Sequence, residues 1–436
     1  MRLLHLTAGA AEMYCGSCLR DNALAAALIR RGHDVVLMPI YTPTTTDEPN
    51  VSGPHVFFGG VSVFLEQHVP LFRRTPAFLD RLWDSNAALR LASKRQIKVD
   101  PATLGSMTVS MLKGADGYQA KEVQKLLRWL EHAPAFDLVS LPFTLLIGLA
   151  QPLRDALKIP IVCTLQGEDL FLNNLPEPWR ADAIALIRAA VPHVDLFVSV
   201  SESYVPFMHD FLGIPDDKTA IVPIGITVEG HHVKPTRTSP PFTIGYFGRI
   251  APEKGLHLLA DAYRRLRARP GVPETRLLAG GYLLNDHRAY FEGVLSMLRE
   301  AGLADQFRYA GAPDRAGKIA LFHEMDVMSM PATYDEPKGF TLLEAMANGV
   351  PVVQPDRGAF TEIVTRTGGG LLVAKDDPEA LADGLFALVT DRARAANLAR
   401  AGAEGVRRQY TVEHMAMATE GAYGQLRAAA KARRSK

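Results

Sequence analysis

The stretch EPKGFTLLEAMANGVPVV, residues 336–353, reads as a loop, a helix start, a helix and then a buried strand. Gly339 lets the chain turn without a Cβ clash. From Phe340 onward Leu342, Leu343, Ala345, Met346 and Ala347 favour helix. Asn348-Gly349 marks its C-terminal stop, Pro351-Val352-Val353 the next strand, and DVMSM (326–330) the strand before. A strand end that leads straight into a helix leaves the first backbone N–H groups without partners. Those of Gly339, Phe340 and Thr341 therefore form an anion site suited to a diphosphate. Glu336 and Glu344 flank this site. Ionised carboxylates only accept hydrogen bonds, so the pair suits sugar hydroxyls on one side and a ribose on the other. Two glutamates at this spacing would by themselves describe a solvated loop and helix. The glycine turn and helix start between them set this pair apart.

Outward from this stretch, strand and helix alternate along the chain. In the second half strands are expected near Phe242–Phe247, Arg276–Ala279, Phe307–Ala310, Asp326–Met330, Val350–Gln354 and Gly370–Val373. In the first half they fall near Leu3–Thr7, Val35–Pro39, Leu138–Leu141, Ile161–Leu165, Leu196–Val200 and Ala220–Pro223. Such alternation predicts an α/β class with parallel sheets, here as two doubly wound Rossmann-like domains facing a central cleft. GHHVKPTRTSPP (230–241) is polar, proline-rich and aperiodic, and reads as a linker. The expected division is a first domain over 1–230, a linker over 231–241, a second domain over 242–409, and a last helix with a basic tail over 410–436. Residues 42–135 interrupt the rhythm as an insertion. Within them FLDRLWDSNAALRLASKR (78–95) reads as an amphipathic helix, with packing on its own domain favoured over a membrane-surface role.

The 436 residues allow two or three domains, and 47% hydrophobic with 22% charged residues is ordinary for soluble chains. A net charge of +1 gives no bulk reason to bind nucleic acid. No apolar run reaches bilayer-spanning length, and MRLLHLTAGA reads as a first strand rather than a secretory signal. Three cysteines suggest a reducing compartment, so a cytoplasmic location is expected, with peripheral contact at the inner membrane face left open. Cys15-Gly16-Ser17-Cys18 has redox spacing, but no thioredoxin-like unit surrounds it and no second cysteine pair exists for zinc. Small buried thiols are the reading. GAPDRAGK (311–318) is one residue too long for a phosphate loop, and Ile319 replaces the needed Ser or Thr. No G-x-G-x-x-G follows the first strand, which argues against a dinucleotide-dependent dehydrogenase.

A second motif, GRIAPEKG (248–255), follows the strand FTIGYF. Arg249 and Lys254 would project from a strand end and the next helix start, placed to neutralise a leaving diphosphate. A solvated basic loop is the plainer alternative.

Together these motifs resemble the donor site of the retaining, GT-B-fold glycosyltransferases of family 4. That family carries an acid, two residues, a glycine, four residues and then Glu-Ala-Met-Ala-x-Gly-x-Pro-Val-Val. The chain matches at Glu336, Gly339, Glu344 to Ala347, Gly349 and Pro351 to Val353, with Lys338 where an aromatic is common. The resemblance covers most of the chain, strongly in the second half and weakly in 42–135. It implies that Arg249, Lys254 and the amides around Gly339 to Thr341 hold the donor diphosphate, Glu344 the ribose and Glu336 the sugar. It implies a backbone contact from Gly16, where the family has a Gly-Gly pair and this chain Cys15-Gly16. It also places Gln166 where many relatives carry a sugar-contacting histidine. Glutamine cannot serve as acid or base, so Glu168 and Asp169 are the nearest ionisable alternatives, helix capping being an equal reading for Asp169. The final helix is expected to cross back to the first domain.

The expected partners are a nucleotide-sugar donor and an acceptor whose identity the sequence does not disclose. No cofactor and no metal ion are expected, the two cations standing in for a metal's charge. Arg249→Ala and Lys254→Ala are each expected to weaken diphosphate binding while barely moving the unfolding midpoint. Two rivals are a nucleotide-sugar epimerase on the same fold, which would need ionisable groups where Gln166 stands, and a silent sugar-nucleotide-binding protein.

Overall fold

The computed structural model describes residues 1–9, 16–53, the single positions 56, 58, 63, 66 and 67, and then 100–235 and 240–434. Cys15, the segment 78–95 and most of FLEQHVPLFRR (64–74) lie outside the described residues. The chain forms two compact units, one of Met1–Pro223 with Met415–Lys436 and one of Ile224–His414.

In the first unit the strands are β1 (Arg2–Thr7), β2 (Asp34–Pro39), β3 (Leu138–Leu141), β4 (Ile161–Leu165), β5 (Leu196–Ser199) and β6 (Thr219–Ile221). They form one parallel sheet in the order β2-β1-β3-β4-β5-β6. Every residue of β3 and β4 is buried, as helices on both faces of a parallel sheet require. The order reverses between β1 and β3.

The second unit holds β7 (Phe242–Phe247), β8 (Thr275–Gly280), β9 (Phe307–Tyr309), β10 (Val327–Met328), β11 (Val352–Pro355) and β12 (Gly370–Val373). Their order is β12-β11-β10-β7-β8-β9, again all parallel. The chain begins in the middle at β7, moves outward through β9, then returns to the other side of β7 at β10. In such open sheets a crevice forms beyond the strand ends where the order reverses, so loops after β7 and β10 are the expected ligand-bearing ones.

Local chemistry sets the helix starts. Asp100 accepts from the N–H groups of Ala102 and Thr103 at 3.0 Å each ahead of Pro101–Leu112. Asp377 does the same for Glu379 and Ala380 at 2.9 and 3.1 Å ahead of Pro378–Thr390. Both helices place proline in the first turn, where its missing N–H costs nothing. Asp314 caps Arg315–Glu324 by accepting from Gly317 N–H at 2.8 Å, so GAPDRAGK is a helix start and not a phosphate loop.

The segment after Gly230, read from sequence as a linker, packs on the second unit where it is described. His231 is buried, and Asn348 Nδ2 meets its Nδ1 at 2.8 Å. Lys234 Nζ lies 3.4 Å from the buried Asp326 carboxylate and donates to Met325 O. Its irregular backbone is secured by these side chains, without the periodicity that marks burial in a helix or strand.

Candidate functional site

The loop after β7 carries the first cluster. Tyr246, buried on β7, donates to Arg249 O at 2.9 Å and fixes that turn. Gly255 has φ 77°, and a Cβ there would fall 1.9 Å from Pro331 O, so only glycine lets the two loops meet. Thr333 N–H donates to Glu253 O at 3.0 Å and joins the loops again. The loop after β10 therefore lies directly against the Arg249–Gly255 loop.

This contact brings Lys254 onto Glu336. Lys254 Nζ lies 2.5 Å from Glu336 Oε2 and 2.5 Å from Tyr334 Oη, and Tyr334 donates in turn to Glu336. Lys338 N–H approaches Glu336 Oε1 at 3.3 Å. Burial alone would raise the Glu336 pKa. The Lys254 and Lys338 charges and the hydrogen bonds from Lys254 and Tyr334 outweigh it and bring the value down to about 2. At neutral pH Glu336 is therefore a carboxylate, able to accept hydrogen bonds and stabilise positive charge but unable to give up a proton.

Gly339, at φ 68°, precedes the helix Phe340–Ala347, whose start carries no side-chain cap. The first N–H groups of that helix are donors without intrahelical partners. The positive φ of Gly339 lies in the left-handed region that favours glycine, and a Cβ there would press on the tip of the Ile363 side chain at 2.4 Å. Glu344, one turn further on, pairs with Lys318 Nζ at 2.6 Å. Arg249 pairs with Glu253 four residues later, at a site about a third exposed. Within the second unit the structure thus gathers Arg249, Lys254, Glu336, Gly339, Phe340, Thr341 and Glu344 around the ends of β7 and β10.

Four contributors were missed from sequence. Glu253 answers Arg249 at a four-residue spacing that was visible in the motif. Tyr334 stands two residues before Glu336 and carried no distinguishing pattern. Lys318 reaches Glu344 from a distant element, Arg357 donates to Ala332 O in the loop before Glu336 at 2.9 Å, and no local spacing announces either.

Gly16 and Gln166 belong to the first unit. Gly16 opens the helix Gly16–Arg30 after β1. Gln166 follows β4 and is buried, with Nε2 donating to Pro142 O at 2.6 Å. Its N–H donates to Glu168 Oε2 at 2.8 Å, while Thr144 supplies N–H and Oγ1 donors to Glu168 Oε1 at 3.2 and 3.0 Å. Burial nevertheless raises the Glu168 pKa against these hydrogen bonds. Asp169 receives Tyr204 Oη at 2.5 Å and opens the short helix Asp169–Asn173. The assignment of Gly16 and Gln166 to a donor rests on the family resemblance. Among the described residues, no three His, Cys, Asp or Glu side chains are grouped to hold a metal ion. No helix there is long and apolar enough to cross a membrane.

Residues 229–405 match the family described as Glycosyl transferases group 1, and residues 22–225 match the Glycosyl transferase 4-like domain. The chain is 31% identical over 220 residues to the lipopolysaccharide core biosynthesis mannosyltransferase LpsB of Rhizobium meliloti, covering 46% of this chain and 61% of that protein. It is 34% identical over 197 residues to the phosphatidyl-myo-inositol mannosyltransferase of Mycobacterium leprae, covering 43% and 48%. The matched stretches thus span less than two thirds of these relatives' own length. Sucrose-phosphate synthase from Thermosynechococcus elongatus aligns with a TM-score of 0.68 at 18% identity, covering 98% of this chain and 100% of that one. Anabaena HepE, solved in complex with UDP and glucose, aligns at 0.64 and 18%, covering 96% and 97%. At these identities the likeness is one of fold, the GT-B pair of parallel six-stranded sheets. With its two halves matched in sequence and both sheets matched in structure, the chain belongs to the group 1, or family 4, glycosyltransferases.

Proposed function

We propose that the protein is a hexosyltransferase that moves a sugar from a nucleoside-diphosphate donor to an acceptor hydroxyl, with retention at the anomeric carbon, without a metal ion and in the cytoplasm. The observation that carries this reading is the meeting of Lys254, Glu336 and the uncapped start of Phe340–Ala347 at the strand-order reversal. The bond from the anomeric carbon to the phosphate oxygen breaks, and its electrons leave with the diphosphate. Arg249, Lys254 and the helix-start amides take up that charge. Glu336, held ionised, positions the sugar and stabilises the positive character left on its ring. The acceptor oxygen forms the new bond on the same face, and its proton passes to the departing phosphate. Glu344 receives the ribose hydroxyls, oriented by Lys318.

Curated relatives are named as mannosyltransferases and one structural neighbour was solved with UDP, so GDP-mannose and UDP-glucose head the donor panel. A thermal-shift screen identifies the donor, because a ligand at 100 times its Kd adds about 2.7 kcal/mol of stability. NMR of the product then reads the anomeric configuration, and transfer in excess EDTA tests metal independence. With the donor in hand, Glu336→Gln should lower kcat about 100-fold or more while nucleoside-diphosphate affinity stays near the parent value. Normal turnover by this variant would remove Glu336 from the reaction. Turnover that alters the donor sugar with no acceptor present would favour the epimerase.

A further inference from the structure

The strand next to β10 holds the loop that bears Glu336. With its amide oriented to satisfy both groups, Gln354 on β11 donates to Met330 O at 3.0 Å and accepts from Met330 N–H at 3.1 Å. Arg357, just past β11, reaches further along the same loop. Its Nη1 donates to Ala332 O at 2.9 Å and to Asp376 Oδ1 at 3.1 Å, and its Nη2 to Asp376 Oδ2 at 2.7 Å. Nε lies 3.5 Å from Asp335 Oδ1. Ala359 N–H then donates to Glu336 O at 2.9 Å, and a Cβ on Gly358 would come within 3.0 Å of the Asp335–Glu336 backbone.

We propose that Arg357 is a positioning residue for sugar transfer, its guanidinium fixing the 332–336 loop so that the Glu336 carboxylate meets Lys254 and the donor sugar. The proposal rests on the reading of Glu336 as the donor-sugar carboxylate. The Arg357 side chain is only 6% exposed, whereas its partners Asp376 and Asp335 are 53% and 65% exposed. Burying a guanidinium is costly unless its donors are used. Here the two Nη groups tie a site-loop carbonyl to a carboxylate beyond β12, while Nε makes no hydrogen bond and has only the Asp335 charge beside it. Asp376 itself stands at φ 57°, in the left-handed region that residues with a Cβ seldom occupy. A planar fork serves two acceptors at set angles, while an ammonium makes point contacts on a flexible stem. Lysine at this position would keep the charge and lose the spacing.

The test compares Arg357→Lys and Asp376→Asn with the parent. Both are read by donor kinetics, by calorimetry with the nucleoside diphosphate, and by 13C NMR of glutamate carboxyls. The resonance missing from Glu336→Gln assigns Glu336. A displacement of about 1 Å can cost about 100-fold in rate, so kcat for Arg357→Lys should fall about tenfold or more, and for Asp376→Asn severalfold. Nucleoside-diphosphate Kd should change less than kcat, since Arg249 and the helix-start amides do not touch the fork and Lys254 keeps its charge. The Glu336 titration should move upward from its parent value near 2 as its contact with Lys254 loosens. Parent-like kcat together with a parent-like Glu336 titration in Arg357→Lys would overturn the proposal. If that variant does not fold, Asp376→Asn, altered only at an exposed carboxylate, decides it by the same two readings. Normal turnover by Glu336→Gln would fell the functional reading instead, and the Glu336 titration would still report whether Arg357 sets the loop.

Discussion

In the proposed reading Lys254 and Arg249 both meet a diphosphate, but their surroundings separate them. Lys254 is also the counter-ion of a buried carboxylate, with Glu336 only 6% exposed at its side chain. Arg249 pairs with Glu253 where the guanidinium is 37% exposed. Each alanine variant should lose about 1.5–3 kcal/mol of nucleoside-diphosphate affinity with its charge-assisted hydrogen bonds. Their ligand-free stabilities should differ. Lys254→Ala leaves Glu336 buried without its main partner, at a cost on the order of 3 kcal/mol, whereas Arg249→Ala removes a partly solvated pair worth about 0–1 kcal/mol. The sequence had suggested that both variants would barely move the unfolding midpoint, and the Lys254–Glu336 contact revises that for Lys254. Calorimetry with thermal melts checks both statements, and a parent-like melt for Lys254→Ala would deny Lys254 its hold on Glu336. Arg249, Lys254, Glu336 and Gly339 were legible because each sits in a short motif hinged on a glycine. The Lys318–Glu344 pair and the Arg357 fork join residues far apart in sequence, so nothing local could announce them.

Among the elements, the inner strands of both sheets could be read from sequence because parallel strands buried on two faces appear as short, unbroken apolar runs, whereas the edge strands β6, β9 and β12 hold no fully buried residue and were read from the strand–helix alternation. β10 is the instructive exception. The run DVMSM suggested a strand near Asp326–Met330, but the paired strand is only Val327–Met328; its last backbone bond to β7 is Ser329 N–H to Gly245 O at 2.9 Å, and the Gln354 side chain serves the Met330 backbone beyond it. A side chain replaces a strand neighbour there, and the chain is freed to form the site loop. The segment after Gly230 is the other departure, and it carries a pH dependence. His231 is held neutral, its pKa lowered to about 4 by burial and then by the Arg315, Lys318 and Arg407 charges, with the Asn348 contact acting in the opposite sense. The unfolded chain binds a proton near pH 6.5 and the folded chain only near 4. Stability from this group is therefore complete above about pH 6.5 and is lost as pH falls toward 4, in total on the order of 3 kcal/mol. Melts of the parent from pH 7.5 to 5 should show a decline that His231→Gln makes shallower, the remainder coming from groups such as His5, whose pKa burial lowers to about 3. An equal slope in both would place the dependence elsewhere.

At the scale of the whole molecule, the chain ends in the unit where it began. The last helix, Val412–Arg434, was legible as a helix after residue 410, but its docking was not, because every contact spans hundreds of residues. Glu420 takes Arg31 through two hydrogen bonds of 2.7 Å and meets His33 Nε2 at 2.8 Å. Arg427 pairs with Asp137 at 2.7 Å. Tyr423 is buried against His5, with ring centroids 5.9 Å apart, and its hydroxyl meets Ser140 Oγ at 3.2 Å. From Met415 onward the helix thus packs on β1 and β3, although this part follows the entire second unit in sequence. Tyr423→Ala should cost the first unit about 3–5 kcal/mol, the usual scale for truncating a buried aromatic. The second unit should be untouched, since Ile224–His414 holds its own sheet and core. Calorimetry distinguishes the units by their ligands: the transition that rises with nucleoside diphosphate belongs to the unit carrying Arg249 and Lys254. Tyr423→Ala should lower the other transition and leave the ligand-responsive one in place. Where the two melt together, hydrogen exchange in β1 and β3 against β7 and β10 gives the same comparison. A loss of protection confined to β7 and β10 would show that the terminal helix supports the second unit instead.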